Sequence, residues 1–197
     1  MNELIPHSAF RISSFLKRLF NRRRAEELGQ LAQTSGAAAA PLTITEVRHP
    51  EFSATLPGVW LERRRTREAC ELTGPDGSEG LTISVRKMAI TVPAEGMAEL
   101  CERLLGERQR LVDEAAGATA DWTAPEISRQ DRADHNDRTT QARCDGYAEP
   151  LQMRYALLER VGPDKVLSAA LWTRGSAGGG PAFSNRATII FDRIDAG

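Results

Sequence analysis

One segment of the sequence has metal-ligand character. Residues 131–137, DRADHND, combine three aspartates with an asparagine and a histidine, namely Asp131, Asp134, His135, Asn136 and Asp137. Hard cations prefer such oxygen ligands, but the order lacks the alternating acidic positions and the central glycine of a calcium loop. No second histidine stands nearby to complete a zinc site. Because Asn and Asp are also the usual turn residues, the pattern favours a solvated hairpin turn, and we predict no metal.

Catalytic patterns are equally weak elsewhere. His135 as a general base would need a nucleophile, and no serine stands in the context of a nucleophile elbow. His7 lies in the N-terminal tail and His49 near a predicted strand. The run GSAGGG at residues 175–180 precedes a predicted helix but lacks the Lys-Ser/Thr pair of a phosphate-binding P-loop, so it is typical of a flexible loop. We therefore predict no catalytic residue and no cofactor, and expect a protein that is not an enzyme.

Basic residues are concentrated at the N-terminus. Residues 1–24 contain six basic residues and one acid, a net charge of +5, so residues 25–197 carry −6 of the overall −1. Apolar side chains recur among them at helical spacing and predict an amphipathic helix from about Ser8 to Leu31. The expected membrane or partner contacts of this helix are Ile12, Phe15, Leu16, Lys17, Arg18, Leu19, Phe20, Arg22, Arg23 and Arg24.

Three roles remain open for this N-terminal helix. It binds a membrane surface or a partner, or it packs on its own domain, or it stays solvated as a frayed terminus. It does not resemble a signal peptide, because Lys17 and Arg18 interrupt the apolar run. Nothing in the chain approaches the roughly 20 apolar residues of a membrane span. The acidic remainder argues against nucleic-acid binding, although the basic arm alone could contact phosphate or anionic lipid.

The cysteines indicate a reducing compartment. They are three in number and too far apart for a paired metal motif. We expect free, buried thiols in the cytoplasm, with Cys70 and Cys144 on strands and Cys101 on a helix. Residues 33–41, QTSGAAAAP, are small and polar and end in proline, as linkers do. We therefore divide the chain into residues 1–41, the arm and its linker, and residues 42–197, one compact domain.

Strand patterns open that domain. In residues 52–57 apolar and polar side chains alternate up to a Pro-Gly break. Residues 69–72 and 81–85 form two more alternating runs, separated by the turn sequence GPDG at residues 74–77, which predicts an antiparallel hairpin. Before the hairpin stands a basic cluster that either contacts an acidic partner or forms a solvated strand edge that discourages pairing between sheets, composed of Arg63, Arg64, Arg65 and Arg67.

Two helices and further strands complete the predicted domain. A helix at residues 95–116 behind Pro93 carries a core-facing stripe made of Met97, Leu100, Cys101, Leu104, Leu105, Leu111, Val112 and Ala115. Residues 126–147 are polar and suit strands near a sheet edge. Residues 151–157 alternate, and residues 166–172 are apolar on both faces, as in a central strand covered on both sides. A second helix at residues 182–194 supplies the second cover through Phe183, Ala187, Ile190, Phe191 and Ile194.

The predicted fold class is α+β. It is an antiparallel β-sheet of six to seven strands with helices packed on both faces, an α/β/α sandwich, preceded by the N-terminal amphipathic helix. In its order and motifs the chain resembles the Mog1/PsbP-like superfamily, and most of all its bacterial DcrB-type members. The resemblance spans about residues 48–195 and is carried by the LP-x-x-W run, the Pro-Asp-Gly hairpin and the final helix with its Phe anchor, which here are Leu56, Pro57, Trp60, Pro75, Asp76, Gly77 and Phe183. The basic N-terminus differs from exported members, which have a signal or lipoprotein sequence there.

The resemblance implies a non-enzymatic binding protein. One bacterial branch of the superfamily comprises cytosolic chaperones that hold hydrophobic segments of type VI secretion effectors. We therefore expect a cytoplasmic binding module, a chaperone or adaptor with a protein partner such as a secreted effector, assembled as a homodimer around an apolar groove. The alternative hypothesis is a peripheral membrane protein whose basic amphipathic helix anchors it to an anionic surface at the inner face of the membrane.

Overall fold

The computed structural model describes residues 43–132, 137–175 and 180–196, with the backbone alone for residues 130–132 and 137. The predicted N-terminal helix, residues 133–136 of the acidic cluster and residues 176–179 of the glycine run lie outside the described residues, as do the side chains of Asp131 and Asp137. Within the described part of the chain there are eleven strands, two α-helices and one short 3-10 turn. Neither helix of this part is long and apolar enough to span a membrane.

Eight strands form the larger of two sheets, and every pair is antiparallel. In spatial order they are β3 (Leu61–Arg65), β4 (Ala69–Thr73), β5 (Glu79–Lys87), β10 (Lys165–Arg174), β9 (Met153–Val161), β8 (Asp137–Ala148) and β6 (Asp121–Trp122), with β7 (Glu126–Arg132) also pairing with β8. The smaller sheet has three strands in the order β1 (Ile44–His49), β2 (Phe52–Pro57) and β11 (Ile194–Asp195).

The two helices lie on opposite faces of the larger sheet. Helix α1 (Ala94–Ala116) packs on β8 and β9, and helix α2 (Gly180–Phe191) shares the other face with the small sheet. Alternation along β9 divides its side chains between two cores, because successive residues point to opposite faces. Tyr155 and Leu157 belong to the core under α1, and Ala156 and Leu158 to the core under α2. Strand β9 is therefore buried on both faces, although only alternation was predicted for it. Strand β10, predicted to be apolar on both faces, is buried except at Ser168 and Ala170, which are partly exposed on the α1 face.

The predicted hairpin is confirmed. Strands β4 and β5 pair with Thr73 opposite Gly80, and the turn between them uses the predicted chemistry. The Asp76 carboxylate accepts the Ser78 backbone N–H at 3.0 Å. Gly77 has a φ of 71°, in the left-handed region that favours glycine. The long helix is confirmed as well, since it begins after Pro93 and ends at Ala116.

The strand count and the last helix differ from the prediction. The structure has two sheets of three and eight strands instead of one of six to seven. The two-residue strands β6 and β11 are too short for an alternating pattern to reveal them. The final helix ends at Phe191 rather than at residue 194, and Ile194 instead pairs with Ala54 of β2. Ile194 is buried on the strand, and its spacing of four from Ile190 made it look like the next member of the helical stripe.

Candidate functional site

Helix α1 covers only half of its face of the larger sheet. On β4, β5 and β10, the side chains on this face lie in cross-strand rows set by the register. Two of these rows are made of small or polar residues that are all partly exposed, and they comprise Ala69, Ser84 and Ser168 in one row and Glu71, Thr82 and Ala170 in the next. Further along the same rows, Glu159 and Leu157 of β9 are buried beneath α1. The face is therefore closed over β8 and β9 and open over β4, β5 and β10.

The flank of α1 beside this opening is apolar. Gln109 donates its amide N–H to Cys144 Sγ on β8 at 3.2 Å, which fixes the side of α1 that faces β8. At 100° per residue, Leu100, Leu104 and Leu111 lie on the opposite side, toward β10. All three are partly exposed, in contrast to Leu105, which is fully buried. Leu100 and Leu104 pack at the edge of the core under α1, in line with the predicted stripe, and Leu105 lies at its centre.

We call the resulting surface the open groove. Its floor is formed by Ala69, Glu71, Thr82, Ser84, Ser168 and Ala170, and its wall by Leu100, Leu104 and Leu111. At one end Trp172 lies against Gly80, where a Cβ atom would come within 2.5 Å of the indole ring. The other end is bounded by the loop from β5 to α1, which carries Ile90, 74% exposed.

A buried ion pair fixes the wall to the sheet. Arg108 of α1 is 7% exposed and Glu159 of β9 is 1% exposed. Arg108 Nε lies 2.5 Å from Glu159 Oε1, and Ser168 Oγ donates to Glu159 Oε2 at 2.5 Å. Because Ser168 belongs to the floor, this network runs from the core under α1 to the surface of the open groove. Removing either charge would leave the other without its counter-charge, so the pair holds α1 at one position on the sheet.

The Glu159 carboxyl is held in a strongly perturbed environment. Burial raises its pKa above the ordinary value, while the charge of Arg108 and the Ser168 hydrogen bond act in the opposite direction. Neither Arg108 nor Glu159 belongs to the candidate residues named from the sequence. Each leaves a detectable signal, since Arg108 falls within the apolar stripe between Leu105 and Val112, and Glu159 takes an inward position on a strand buried on both faces.

A second polar cluster lies on the other face and attaches α2 to β8. The Arg143 guanidinium donates to Ser184 O at 2.8 Å and to the Thr188 hydroxyl, and it lies 6.0 Å from the centroid of the Phe191 ring. Asp145 accepts from the Ser184 hydroxyl and pairs with Arg143 at 3.4 Å. These contacts span a single helix-to-strand junction, so we assign the cluster a packing role.

Residues singled out in the sequence are engaged in structural contacts where the structure describes them. His49 is buried, with Nε2 2.9 Å from Thr66 O and its ring stacked on Phe52 at 4.4 Å. Arg63, Arg64 and Arg65 of the basic cluster lie on the edge strand β3, where all five residues are exposed, and Arg67 follows in the exposed turn to β4. There Arg65 pairs with Glu62 at 2.6 Å and Arg64 with Glu71 at 3.9 Å. This cluster is the solvated strand edge that the sequence offered as one of two interpretations.

The cysteines lie on the predicted elements, Cys70 and Cys144 on strands and Cys101 on α1, and all three are free and buried. Burial raises the pKa of Cys70 and Cys101 to about 11 and that of Cys144 to about 12. Thiols with such pKa values are protonated at neutral pH and are poor nucleophiles. In the described residues no group of three or more His, Cys, Asp or Glu side chains could hold a metal ion.

Comparison with known proteins supplies a fold but no family. No protein-family model matches the chain, and no curated protein matches it. The solution structure of cyanobacterial PsbP (CyanoP) from Synechocystis sp. PCC 6803 superimposes with a TM-score of 0.55, over 84% of this chain and 99% of that one. The fold is Mog1/PsbP-like.

The PsbP-like fold is shared at very low sequence similarity. Identity to the cyanobacterial protein is 10%, so the likeness concerns architecture alone. A structure from Bacteroides thetaiotaomicron VPI-5482 aligns with a TM-score of 0.39 and 11% identity, over 75% of this chain and 45% of that one. The cyanobacterial structure confirms the fold that the sequence resemblance implied, and it supports no closer relationship.

Proposed function

We propose that this protein is a non-enzymatic binding module that holds an apolar or amphipathic helix of a partner protein in the open groove. The observation that carries the proposal is the row of partly exposed leucines on α1 beside a sheet floor of small and polar side chains. The wall formed by Leu100, Leu104 and Leu111 is an apolar surface that faces the side of β10, β5 and β4. In the described part of the chain, no helix packs over β4 and β5 on this face. Helix-in-groove recognition uses a surface of this kind.

The dimensions of the groove favour a helix as the ligand. The wall from Leu100 to Leu111 covers about 17 Å of α1, so it would contact about three turns of a helix that lies alongside. The small side chains of the floor permit the close approach that helix packing requires, about 8–10 Å between the helix and the element beneath it. The hydroxyls of Thr82, Ser84 and Ser168 keep the floor compatible with water, which suits a surface that is covered reversibly.

The proposal extends to the kind of partner and to the place where the protein acts. A hydrophobic segment of a secreted effector has the required chemistry, and a chaperone or adaptor acting on it would work in the cytoplasm as a monomer or homodimer. The buried ion pair supports binding over catalysis, because Arg108 and Glu159 satisfy each other inside the domain instead of converging on an open cavity. Because the ion pair already fixes α1 on the sheet, less conformational entropy is lost when a partner binds to the wall.

The test uses a fluorescent model helix of about 20 residues with a leucine stripe, and a scrambled peptide of the same composition. Fluorescence anisotropy measures binding to the full-length protein. Leu104→Ser should weaken binding about tenfold, which corresponds to about 1.4 kcal/mol of lost apolar contact. Ile189→Ser is the control for an apolar surface position away from the groove, because Ile189, 49% exposed, lies on α2, across the sheet from the groove.

Two results would contradict the proposal. Equal affinity for the scrambled peptide would show that no helical stripe is recognised. An equal loss of affinity in the Leu104→Ser and Ile189→Ser proteins would show that the groove is not the site. Co-flotation of the protein with anionic vesicles, abolished by removing the charges of Arg22, Arg23 and Arg24, would favour the membrane alternative instead.

A further inference from the structure

We infer that a helix bound in the open groove runs antiparallel to α1 and places its C-terminal end, with an acidic residue, beside Arg86 and Arg103. The inference rests on the proposed function in one respect, that the groove binds a helix of a partner. It adds the direction of that helix and the charge at its C-terminal end. The groove has a loop end, beside the loop from β5 to α1, and a tryptophan end, beside Trp172. Three observations support the inference: the direction of α1 along the groove, the charges at the two ends, and the dipole of α1.

Helix α1 runs from the loop end of the groove to the tryptophan end. Near its start, Cys101 Sγ donates to Thr140 O at 3.0 Å, and the register links Thr140 through β9 and β10 to Arg86 on β5. Near its end, Asp113 accepts the indole N–H of Trp122 at 3.2 Å, and the register links Trp122 through β8 and β9 to the tryptophan end. The start and the end of α1 therefore mark the two ends of the groove.

The loop end carries a net positive charge. Arg86 is partly exposed and follows Ser84 by two residues on β5, so its side chain lies on the groove face in the next row. Arg103 is exposed on α1, one turn after Leu100 at the same end of the wall. Glu99 lies on the outermost side of α1, one turn before Arg103, and can offset only one of these two charges. A carboxylate that approaches the floor beside Leu100 would therefore be attracted.

The tryptophan end carries more acidic than basic residues. On the floor, Glu71 pairs with Arg64 at 3.9 Å, so these two charges largely offset each other. On α1, Glu107 and Glu114 border the wall, each about one turn from its last leucine. Arg110, on the outermost side of α1, can offset only one of them. The N-terminal end of a bound helix, with its positive partial charge, suits this end of the groove.

A further base and a further acid lie beyond the tryptophan end. Burial raises the pKa of Tyr155, and Arg174 and Asp113 act on it with smaller and opposite effects, so both charges lie near Tyr155. Because they offset each other, they leave the balance of charge along the groove unchanged. That balance is positive at the loop end and negative at the tryptophan end.

The dipole of α1 has the same direction as these charges. Its positive N-terminus lies at the loop end, where Pro93 provides no side-chain hydrogen bond to the first amides. Its last turn, at the tryptophan end, contains no basic residue. Because the dipoles of neighbouring helices attract each other when the helices are antiparallel, the dipole and the fixed charges favour the same direction of a bound helix.

The first experiment determines which end of a bound model helix lies at which end of the groove. The leucine-stripe helix carries a glutamate in its last turn and a bromoacetyl group at either its N-terminus or its C-terminus. In the full-length protein, Ile90→Cys presents a thiol at the loop end, where Ile90 is 74% exposed. Leu61→Cys presents one at the tryptophan end, because Leu61 is 43% exposed and shares a row with Gly80 beneath Trp172.

The three native thiols are buried and remain unreactive. Binding raises the local concentration of the reactive group. Ile90→Cys should therefore react about tenfold faster with the C-terminal label, and Leu61→Cys about tenfold faster with the N-terminal label. The scrambled peptide, labelled in the same two ways, should show no preference.

The second experiment tests whether Arg86 and Arg103 contact the acidic end of the helix. A neutral helix has glutamine in place of the glutamate in its last turn. In fluorescence anisotropy, the parent protein should bind the acidic helix about fivefold more tightly than the neutral one. The Arg86→Gln, Arg103→Gln protein should bind both helices equally. Arg48→Gln with Arg129→Gln removes the same charge at exposed positions on β1 and β7, away from the groove, and should keep the difference.

The two proposals can fail separately. If the model helix does not bind the parent protein, the proposed function is wrong, and the direction of the helix with it. If it binds with the expected loss in Leu104→Ser but the two labels react at equal rates or with the opposite preference, the groove is a helix site and the inferred direction is wrong. Equal affinities of the parent protein for the acidic and neutral helices would overturn the contact of the acidic end with Arg86 and Arg103.

Discussion

The buried pair of Arg108 and Glu159 makes the sharpest prediction about this fold. Replacing Arg108 with Met keeps the aliphatic stem and leaves the Glu159 carboxylate buried without its ion-pair partner, with Arg86 as a weaker remaining positive charge. Replacing Glu159 with Leu leaves the guanidinium in the same position. With side chains 7% and 1% exposed, water cannot compensate, so each single replacement should cost about 3–5 kcal/mol of unfolding free energy.

The double variant decides whether the pair itself is responsible. Arg108→Met combined with Glu159→Leu removes both charges and fills the space with apolar atoms, an exchange that is often neutral or stabilising. Its stability should therefore lie within about 2 kcal/mol of the parent, far from the sum of the single losses. Urea unfolding followed by the fluorescence of the three tryptophans measures all four proteins. Single losses below about 1 kcal/mol that simply add in the double variant would refute the ion pair.

The pH dependence provides a second check with a definite sign. Burial already raises the Glu159 pKa, and without Arg108 the largest opposing effect is gone. A carboxyl whose pKa is higher in the folded state contributes stability that is present below its unfolded pKa, about 4.3, and lost as the pH rises through the folded value. The loss of unfolding free energy caused by Arg108→Met should therefore become smaller when the pH is lowered from 7 to about 5. The loss of stability in Glu159→Leu should not become smaller in this way, because this variant lacks the buried carboxyl that becomes protonated.

Three further predictions follow from the same structure. Leu105→Ala should lower the unfolding free energy by about 2–5 kcal/mol, whereas Leu104→Ala, at a partly exposed position, should cost clearly less in the same urea titration. The three thiols should be unreactive toward a disulfide reagent at about pH 8 in the native protein and should all react after denaturation, and rapid labelling of native protein would contradict their burial. Removing residues 1–40 should leave a folded domain with a cooperative thermal transition, and a loss of that transition would mean that the segment belongs to the core.

Sequence patterns predict the parts of this fold in which one element is long and regular. Strand β2, the β4–β5 hairpin, α1 and β10 each carry a repeated period and a boundary signal, and each lies where the period indicates. The structure adds what periodicity does not encode. The small sheet depends on contacts between residues more than 130 positions apart, as between Ala54 and Ile194, and no local pattern reports such a pairing.

The candidate site is harder to predict for a related reason. Leu100 and Leu104 belong to the same apolar stripe as Leu105, and helical spacing alone does not tell which members face the sheet and which border an opening. Their exposure depends on the distance between α1 and β10, which is set by tertiary packing and not by the local sequence. The floor residues are Ser, Thr, Ala and one Glu, which a half-buried strand of any sheet would carry.

The asymmetry between the two faces of the larger sheet connects the fold to the proposed function. On one face α2 and the small sheet together cover the central strands, and Arg143 fixes α2 in place. On the other face a single helix covers β8 and β9 and stops short of β4 and β5. A second apolar element over the open half would be expected if this face served stability alone, and Ser84, Thr82 and Ser168 are poor choices for a permanent core. The ion pair explains how α1 is held on this less covered face, because it fixes the helix to β9 without a further element packing on its exposed flank. The domain can therefore remain folded with the groove empty, and a helix that enters it meets a wall whose position is already fixed.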